Sequence, residues 1–435
     1  MTGKVVQTTA MSWLLDPKKP MLGPVANGGT IIARTSPGCW GPMITPDYPS
    51  GHEVTRPMAV ADAVPGDAVA LKIQSLRITS TATTSGTDAP LDGNYEGDPF
   101  VAPVCPGCGR RNPSTYICGT GRDAVRCRDC DTPVTPFELA NGYTMLFDSA
   151  RSLGITVPSE LASDIAEAAS AFGALPPESR QHSTNLIAAA DIPGIVSMVR
   201  PMIGNIGSCP AVVMPSSHNA GDFGGFLVGA PHDYALEEGE LVHRTDGHMD
   251  VNAVTEGATV IVPVKVEGAG IYVGDVHAMQ GDGEVAGHTT DVSAEVALGV
   301  SVLKDLDLEG PIILPILEHV PAEARPLDAQ TLDAAFRLAS RYGFELEEPA
   351  YPVSFVGSGP DINSATDCAM GRISRLTGYD LDEVRNRCTI RGAVEIGRLP
   401  GVVVATLALP EAKLGEMGIL EIVREHYGSG EEPRG

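Results

Sequence analysis

Positive charge is scarce in this chain. Its 30 lysines and arginines stand against 55 aspartates and glutamates, a formal net charge of −25 over 435 residues. Duplex nucleic acid and anionic membranes both select basic surfaces, so neither is an expected partner. Aromatic residues are few, at 5%, while glycine (49) and proline (35) are plentiful. Short strands joined by tight turns suit that balance, which favours a β-rich fold. No apolar run approaches the roughly 20 residues that cross a bilayer. The start, Met1-Thr2-Gly3-Lys4-Val5-Val6-Gln7, has no apolar core of the kind a secretion signal carries. The expectation is a cytoplasmic protein with reduced cysteines. With hydrophobic residues at 43%, the chain can bury a large core and has room for two or three domains.

The nine cysteines are an odd number, and four of them form close pairs: Cys105-Pro106-Gly107-Cys108 and Cys127-Arg128-Asp129-Cys130. Two such knuckles at ribbon spacing present four thiolates to one tetrahedral ion, so the segment is expected to hold a structural zinc. Cys118 falls between the knuckles and reads as part of the ribbon's hairpin rather than as a ligand. Domain organisation follows from this landmark. Residues 1–100 read as the N-terminal β-rich part of a catalytic domain, 101–135 as a zinc-ribbon insert, 136–199 as a helical insert, and 200–435 as the main catalytic part, β-rich with C-terminal helices. The Thr/Ser/Gly/Asp-rich stretch 79–98 reads as an exposed loop leading into the ribbon. The helix signal at 158–169 carries the helical insert, with Ser159 as its cap. The fold class expected is mainly β, sandwich- or barrel-like, with α/β C-terminal elements plus the ribbon and a helical segment.

Chemistry concentrates in Gly274-Asp275-Val276-His277-Ala278-Met279-Gln280-Gly281-Asp282-Gly283-Glu284, which lies between apolar runs that read as strands. Polar residues at a turn between strands can grip a metal ion or a substrate from a rigid support. The same Gln-Gly-Asp-Gly run also suits a plain tight hairpin, with Asp282 as its turn residue. A second acidic spot, Asp246-Gly247-His248-Met249-Asp250, precedes the strand beginning at Thr259.

The order of these motifs resembles the acetamidase/formamidase family. The resemblance rests on Gly247-His248-Met249-Asp250, Val262-Pro263-Val264, Val266-Glu267-Gly268-Ala269 and the 274–284 run. Val54-Thr55-Arg56-Pro57, Val64-Pro65-Gly66-Asp67-Ala68-Val69, Arg200-Pro201-Met202-Ile203-Gly204-Asn205-Ile206-Gly207 and Gly401 to Pro410 support it. It is weak over residues 1–78 and good over 200–410. Such a resemblance implies a β-rich catalytic fold, homo-oligomers, hydrolysis of small linear amides to carboxylate and ammonia, and a divalent metal, zinc, calcium or another, held by acidic and histidine side chains.

Amide hydrolysis needs an activated water, an electrophile for the oxyanion and an acid for the departing amine, and a metal supplies the first two. On that basis Asp250, Asp275 and His277 are the expected metal ligands, Glu284 the general base and then proton donor, and Gln280 and His248 the groups that orient substrate. Three departures from the family pattern stand out. His248 follows Asp246-Gly247 where the family usually has glycine-glycine-asparagine, no acid lies near Cys39 and Trp40, and the segment at about 101–195 is additional. Two other readings therefore stay open: a non-catalytic scaffold member, or a cysteine-dependent hydrolase using Cys39, with Cys209, Cys368 and Cys388 also unpaired. His218 is a further candidate for the border of the pocket, while the sequence spacing of His232, His243 and His288 points to no role.

Overall fold

A computed structural model describes residues 3–38, 52–95, 103–119, 121, 123–179, 190–223, 227–230 and 233–428. Its frame is a ten-stranded sheet ordered Gly3–Thr8, Leu22–Thr35, Ala294–Leu303, Ala68–Ile78, Thr259–Pro263, Ile312–Leu314, Ala350–Ser358, Val402–Pro410 and Gly392–Arg398, with Met58–Val60 pairing Leu22–Thr35. A five-stranded sheet lies against it, in the order Met202–Gly207, Tyr272–His277, Val54–Thr55 and Met11–Ser12, with Asp291–Val292 also on Tyr272–His277. The alternation of side chains along a strand explains how the large sheet serves two cores. Val260 and Val262 join Ile203, Val273 and Val276 between the sheets. Ile261, pointing the other way, joins Phe355, Val403 and Leu407 under the helices Ile362–Thr377 and Leu381–Arg391. The expected β-rich sandwich with C-terminal α/β elements is therefore present, and no helix among the described residues is long and apolar enough to cross a membrane.

The C-terminal helices start and stop where their residues dictate. Asp361 and Asp380 accept hydrogen bonds from the Ser364 and Glu383 amides at the two N-termini, and Gly378 closes the first helix at φ +75°. The same devices, Asp328 and Gly343, bound the helix Ala329–Tyr342.

Two expectations are corrected between the large-sheet strand Ala68–Ile78 and residue 200. The stretch read as an exposed loop contains the strand Ala82–Pro90, in which Thr83, Thr84 and Ser85 are buried. Hydroxyls tolerate burial when they are bonded: Thr83 Oγ1 donates to the Asp291 carbonyl at 2.5 Å, and the Thr84 and Thr144 hydroxyls meet at 3.1 Å. The segment read as a helical insert has its helix at Ser159–Glu167, with a short second one at Ala169–Gly173. Its other described elements are the strands Phe137–Phe147, Leu153–Thr156 and Val196–Met198, which form a four-stranded sheet with Ala82–Pro90. Pairing with a strand from before the ribbon decides this, and no local pattern records such a partner. The ribbon itself is the hairpin of Thr115–Ile117 and Val125–Cys127. Cys105 and Cys130 Sγ lie 3.4 Å apart and Cys108 and Cys127 Sγ 3.9 Å apart, with all four sulfurs in one cluster. Cys118 is outside that cluster, as expected.

Candidate active site

The Tyr272–His277 strand carries the centre of the site. The sequence suggested a turn for the 274–284 run, but Gly274 to His277 complete a strand. Met202–Gly207 holds one edge of that strand, and Val54–Thr55 and Asp291–Val292 hold the other. Only the residues after Gln280 turn, and Asp282 is an exposed member of that turn, accepting from Asn252 Nδ2. Asp275 and His277, two apart, share a face. His277 sits opposite Asp291 in the register, so that His277 Nε2 is 3.3 Å from Asp291 Oδ1 and 3.2 Å from Asp275 Oδ1.

The second polar spot arrives along Met202–Gly207. The amides of Met249 and Asp250 donate to the Gly204 carbonyl at 2.8 and 3.1 Å, and the Ile206 amide donates to Gly247. This lays His248 and Asp250 beside the strand. His248 Nε2 is then 3.0 Å from Asp250 Oδ2 and 3.5 Å from Asp275 Oδ2, while His277 Nε2 is 3.9 Å from Asp250 Oδ1. His52 completes the group, with Nδ1 3.3 Å from Asp275 Oδ2 and its ring edge-on to His248 at 4.3 Å. All six side chains are buried. Non-glycine residues with positive φ gather here: Asp246 (57°), Asp250 (52°), Asp275 (55°) and Glu284 (40°). Backbone strain of that kind persists where packing over-determines it, commonly at functional sites.

Hydrogen bonds at the far side of two imidazoles fix their roles. Gln280 Nε2 donates to the Asp250 carbonyl at 2.7 Å, so its Oε1 must accept the 2.7 Å bond from His277 Nδ1. His248 Nδ1 likewise donates to the Ser217 carbonyl at 2.7 Å. Both rings therefore aim Nε2 at the carboxylates, the arrangement that second-sphere acceptors impose on metal-ligating histidines. Gln280, expected to orient substrate, has its amide bonded to His277 and to the Asp250 carbonyl.

The charge of the cluster is balanced by shared protons. Burial raises Glu284 to about 8, with Asp250 adding to the effect and Arg398 opposing it. It also raises Asp291 to about 7. Burial works against Asp275 too, but His52 and His277 hold its carboxyl well below the usual range. Burial pulls down on His248 and His277, yet Asp250 and Asp275 respectively lead in lifting both well above the ordinary imidazole value. Protons thus supply neutralisation that a divalent ion would supply. Beyond the imidazole contacts, both oxygens of Asp250 and Asp291 and Oδ1 of Asp275 accept no hydrogen bond from the described residues. The residues present fit a metal in two overlapping donor sets, Asp250/Asp275/His277 and His52/His248/Asp275. His52, lowered to about 4 by its burial, is a neutral donor at neutral pH.

Asp250, Asp275 and His277 are therefore brought together as the sequence suggested, with His248 beside them. Glu284 lies at the edge, its Oε2 3.0 Å from Arg398 Nε, and Arg398 Nη1 also reaches Asp222 at 2.8 Å. Sequence reasoning missed His52, Asp291, Asp222 and Arg398. Asp291 carried a weak signal, a lone acid opening an apolar strand, and the others carried none. His218 is buried and acts on Asp222 through charge. His243 is exposed, at the end of a short 3-10 turn. Cys39, Trp40 and His232 lie outside the described residues. The Cys209 and Cys388 thiols are pushed up to about 12 and about 11, in both cases by burial first, which suits packing rather than nucleophilic attack.

The fold is shared with three solved structures. A recombinant acetamidase/formamidase, so assigned by prediction, from the thermophile Thermoanaerobacter tengcongensis is 17% identical, over 95% of this chain and 98% of that one, with a TM-score of 0.53. An acetamidase from Yersinia enterocolitica is 14% identical over 93% and 92%, at 0.53. An acetamidase from Bacillus halodurans is 14% identical over 95% and 99%, at 0.52. A Schizosaccharomyces pombe protein provisionally named a formamidase is 32% identical over 74 residues, a match spanning 16% of this chain and only 18% of that relative. The acetamidase/formamidase family model matches residues 39–244 and 242–413. With that coverage, and with the order of motifs that first suggested it, the chain belongs to the acetamidase/formamidase family.

Proposed function

We propose that the protein is a metal-dependent hydrolase of the carbon–nitrogen bond of linear amides, releasing carboxylate and ammonia. The observation that carries this reading is the buried cluster of three aspartates with two imidazoles whose Nε2 atoms are aimed inward. Asp250, Asp275 and His277 would hold the ion, with His52 and His248 as the adjoining donors; zinc and calcium are both candidates. When bound, such an ion supplies Lewis acidity that acidifies water and polarises a carbonyl oxygen. Glu284 takes the proton from the attacking water and passes it to the nitrogen as the C–N bond breaks. A carboxyl raised by burial suits both halves of that transfer near neutral pH. Arg398 holds Glu284 in place through the 3.0 Å contact. His248, with Nδ1 tied to Ser217, keeps Nε2 turned to Asp250 and Asp275 and so serves the donor set rather than the substrate.

The four thiolates of Cys105, Cys108, Cys127 and Cys130 hold a structural zinc in the same reading. Elemental analysis with an ammonia-release assay on formamide, acetamide and larger amides tests both sites. Wild type is expected to carry metal at both. Asp275→Ala/His277→Ala should lose the active-site metal and all ammonia release, and Cys105→Ser/Cys108→Ser should lose the ribbon zinc. Undiminished ammonia release from the Asp275→Ala/His277→Ala protein would sink the metal mechanism. Association of like chains, which the family resemblance implies, is read by sedimentation of the same preparations.

A further inference from the structure

The four-stranded sheet that carries the ribbon also reaches the carboxylate–histidine cluster. Its first strand, Ala82–Pro90, contacts Asp291–Val292, and Thr83 Oγ1 bonds the carbonyl of Asp291, the residue paired with His277. Thr83 faces Met145 in the register, and Ser85 faces Tyr143. Residues two apart on a strand share a face, as do direct cross-strand partners, so Thr83, Ser85, Tyr143 and Met145 form one face. That face is the one turned to Asp291.

Tyr143 stands at the end of a local irregularity. Between Ala140 and Tyr143 the register shifts, with two residues, Asn141 and Gly142, opposite the single residue Gly86. Asn141 sits at φ 49°, and the Asp191 side chain and main chain hold Gly142 from the other side. A Cβ at Gly86 would stand 2.7 Å from Gly142 Cα, so the bulge requires glycine at that position. Bulges re-aim side chains and collect beside active sites. The phenol is raised above its ordinary value chiefly by burial; Asp291 and Glu284 add to this, while Ser85 and His277 act against it. Its hydroxyl is thus within electrostatic reach of three members of the site.

We infer that Tyr143 is a substrate-contacting residue, its phenol donating a hydrogen bond to the carbonyl oxygen of the amide as that oxygen gains negative charge. The assignment rests on the amide-hydrolase reading and gives the ribbon-bearing sheet a role in it, as one wall of the active site. A donor aimed at a developing oxyanion acts mainly in the transition state.

The test is Tyr143→Phe, which keeps the ring. Its kcat for acetamide and formamide should fall by about 100-fold or more, with KM changed far less, at unchanged metal content and thermal midpoint. Where wild type is active, a variant kcat within twofold of wild type overturns the assignment and leaves the amide-hydrolase reading intact. Acetohydroxamate binding, followed by calorimetry, separates the two failures because it needs no turnover. If wild type releases no ammonia from any amide, the parent reading fails. Tenfold weaker acetohydroxamate binding by Tyr143→Phe then keeps Tyr143 as a ligand contact, and equal or absent binding overturns that as well.

Discussion

Two glycines make the cluster possible by lacking a side chain. A Cβ at Gly204 would lie 2.3 Å from Asp250 Oδ1 and 2.7 Å from Asp275 Oδ2, and one at Gly38 would lie 1.6 Å from Asp275 Oδ1. Neither position has a positive φ, so the constraint is space at the point where the carboxylates converge. Gly204→Ala should therefore leave the sandwich folded but push Asp250 and Asp275 apart. Active-site metal content should drop, and kcat/KM should fall by about 100-fold, the scale of an ångström-sized misplacement. Full metal occupancy with normal kinetics would show that the two carboxylates do not act together. At this scale the sequence was half legible. Asp275 and His277 showed themselves through the density of carboxylates, imidazole and amide in the 274–284 run, although that run was read as a turn and they lie on a strand. His52, Asp222 and Arg398 left no such mark, because each comes from a distant segment and meets the site only through tertiary packing.

Elements were legible where the local sequence closes its own hydrogen bonds. Pro65-Gly66-Asp67 is turn chemistry by composition, and the turn stands ahead of the strand Ala68–Ile78, with Gly66 at φ 94°. Asp67 ties it: Oδ2 accepts from the Val64 amide at 2.9 Å and from Lys304 Nζ at 2.8 Å, and Oδ1 accepts from the Asp305 amide at 3.1 Å. Burial opposes the charge of this carboxylate, but those donors, led by Lys304, hold its pKa below the usual value of 3.8. A carboxyl depressed in the folded state stabilises the protein above its unfolded pKa, and that stability is lost as pH falls through the folded value. Asp67→Asn should thus lower stability by about 1.5–3 kcal/mol at pH 7, the scale of charged hydrogen bonds. The gap to wild type should close below about pH 4. Urea unfolding across that range reads it, and a gap independent of pH would rule out the ionised carboxylate as its source. The Ala82–Pro90 strand was misread for the opposite reason. Its threonines and serine are polar by composition, and the groups that satisfy Thr83 and Thr84, Asp291 and Thr144, lie far along the chain.

For the whole molecule, the order of motifs identified the sandwich and its site, because those residues occupy the strands that every partner must pair with. The ribbon was legible for a different reason, since thiolate spacing is metal chemistry rather than packing. This difference has an energetic consequence. The sandwich and the helix layer are built on two extensive cores, whereas the ribbon's hydrophobic cluster, among the described residues, is Cys105, Val125, Cys127 and Val134, with Ile117 packed against them. A core of that size cannot offset the conformational entropy of ordering the segment, so on the structural-zinc reading the metal would contribute the folding free energy. Cys105→Ser/Cys108→Ser should therefore unfold the ribbon locally. Hydrogen exchange should become fast at 103–135 while the Thr259–Pro263 and Val402–Pro410 strands stay protected, and the main thermal transition should move by no more than a few degrees. If the ribbon also braces the sheet that carries Tyr143, exchange should quicken in Phe137–Phe147 and kcat should fall with it, with the active-site metal still in place. Retained protection across 103–135 in the zinc-free variant would mean that packing alone holds the ribbon, and the four thiolates would then lose their structural role.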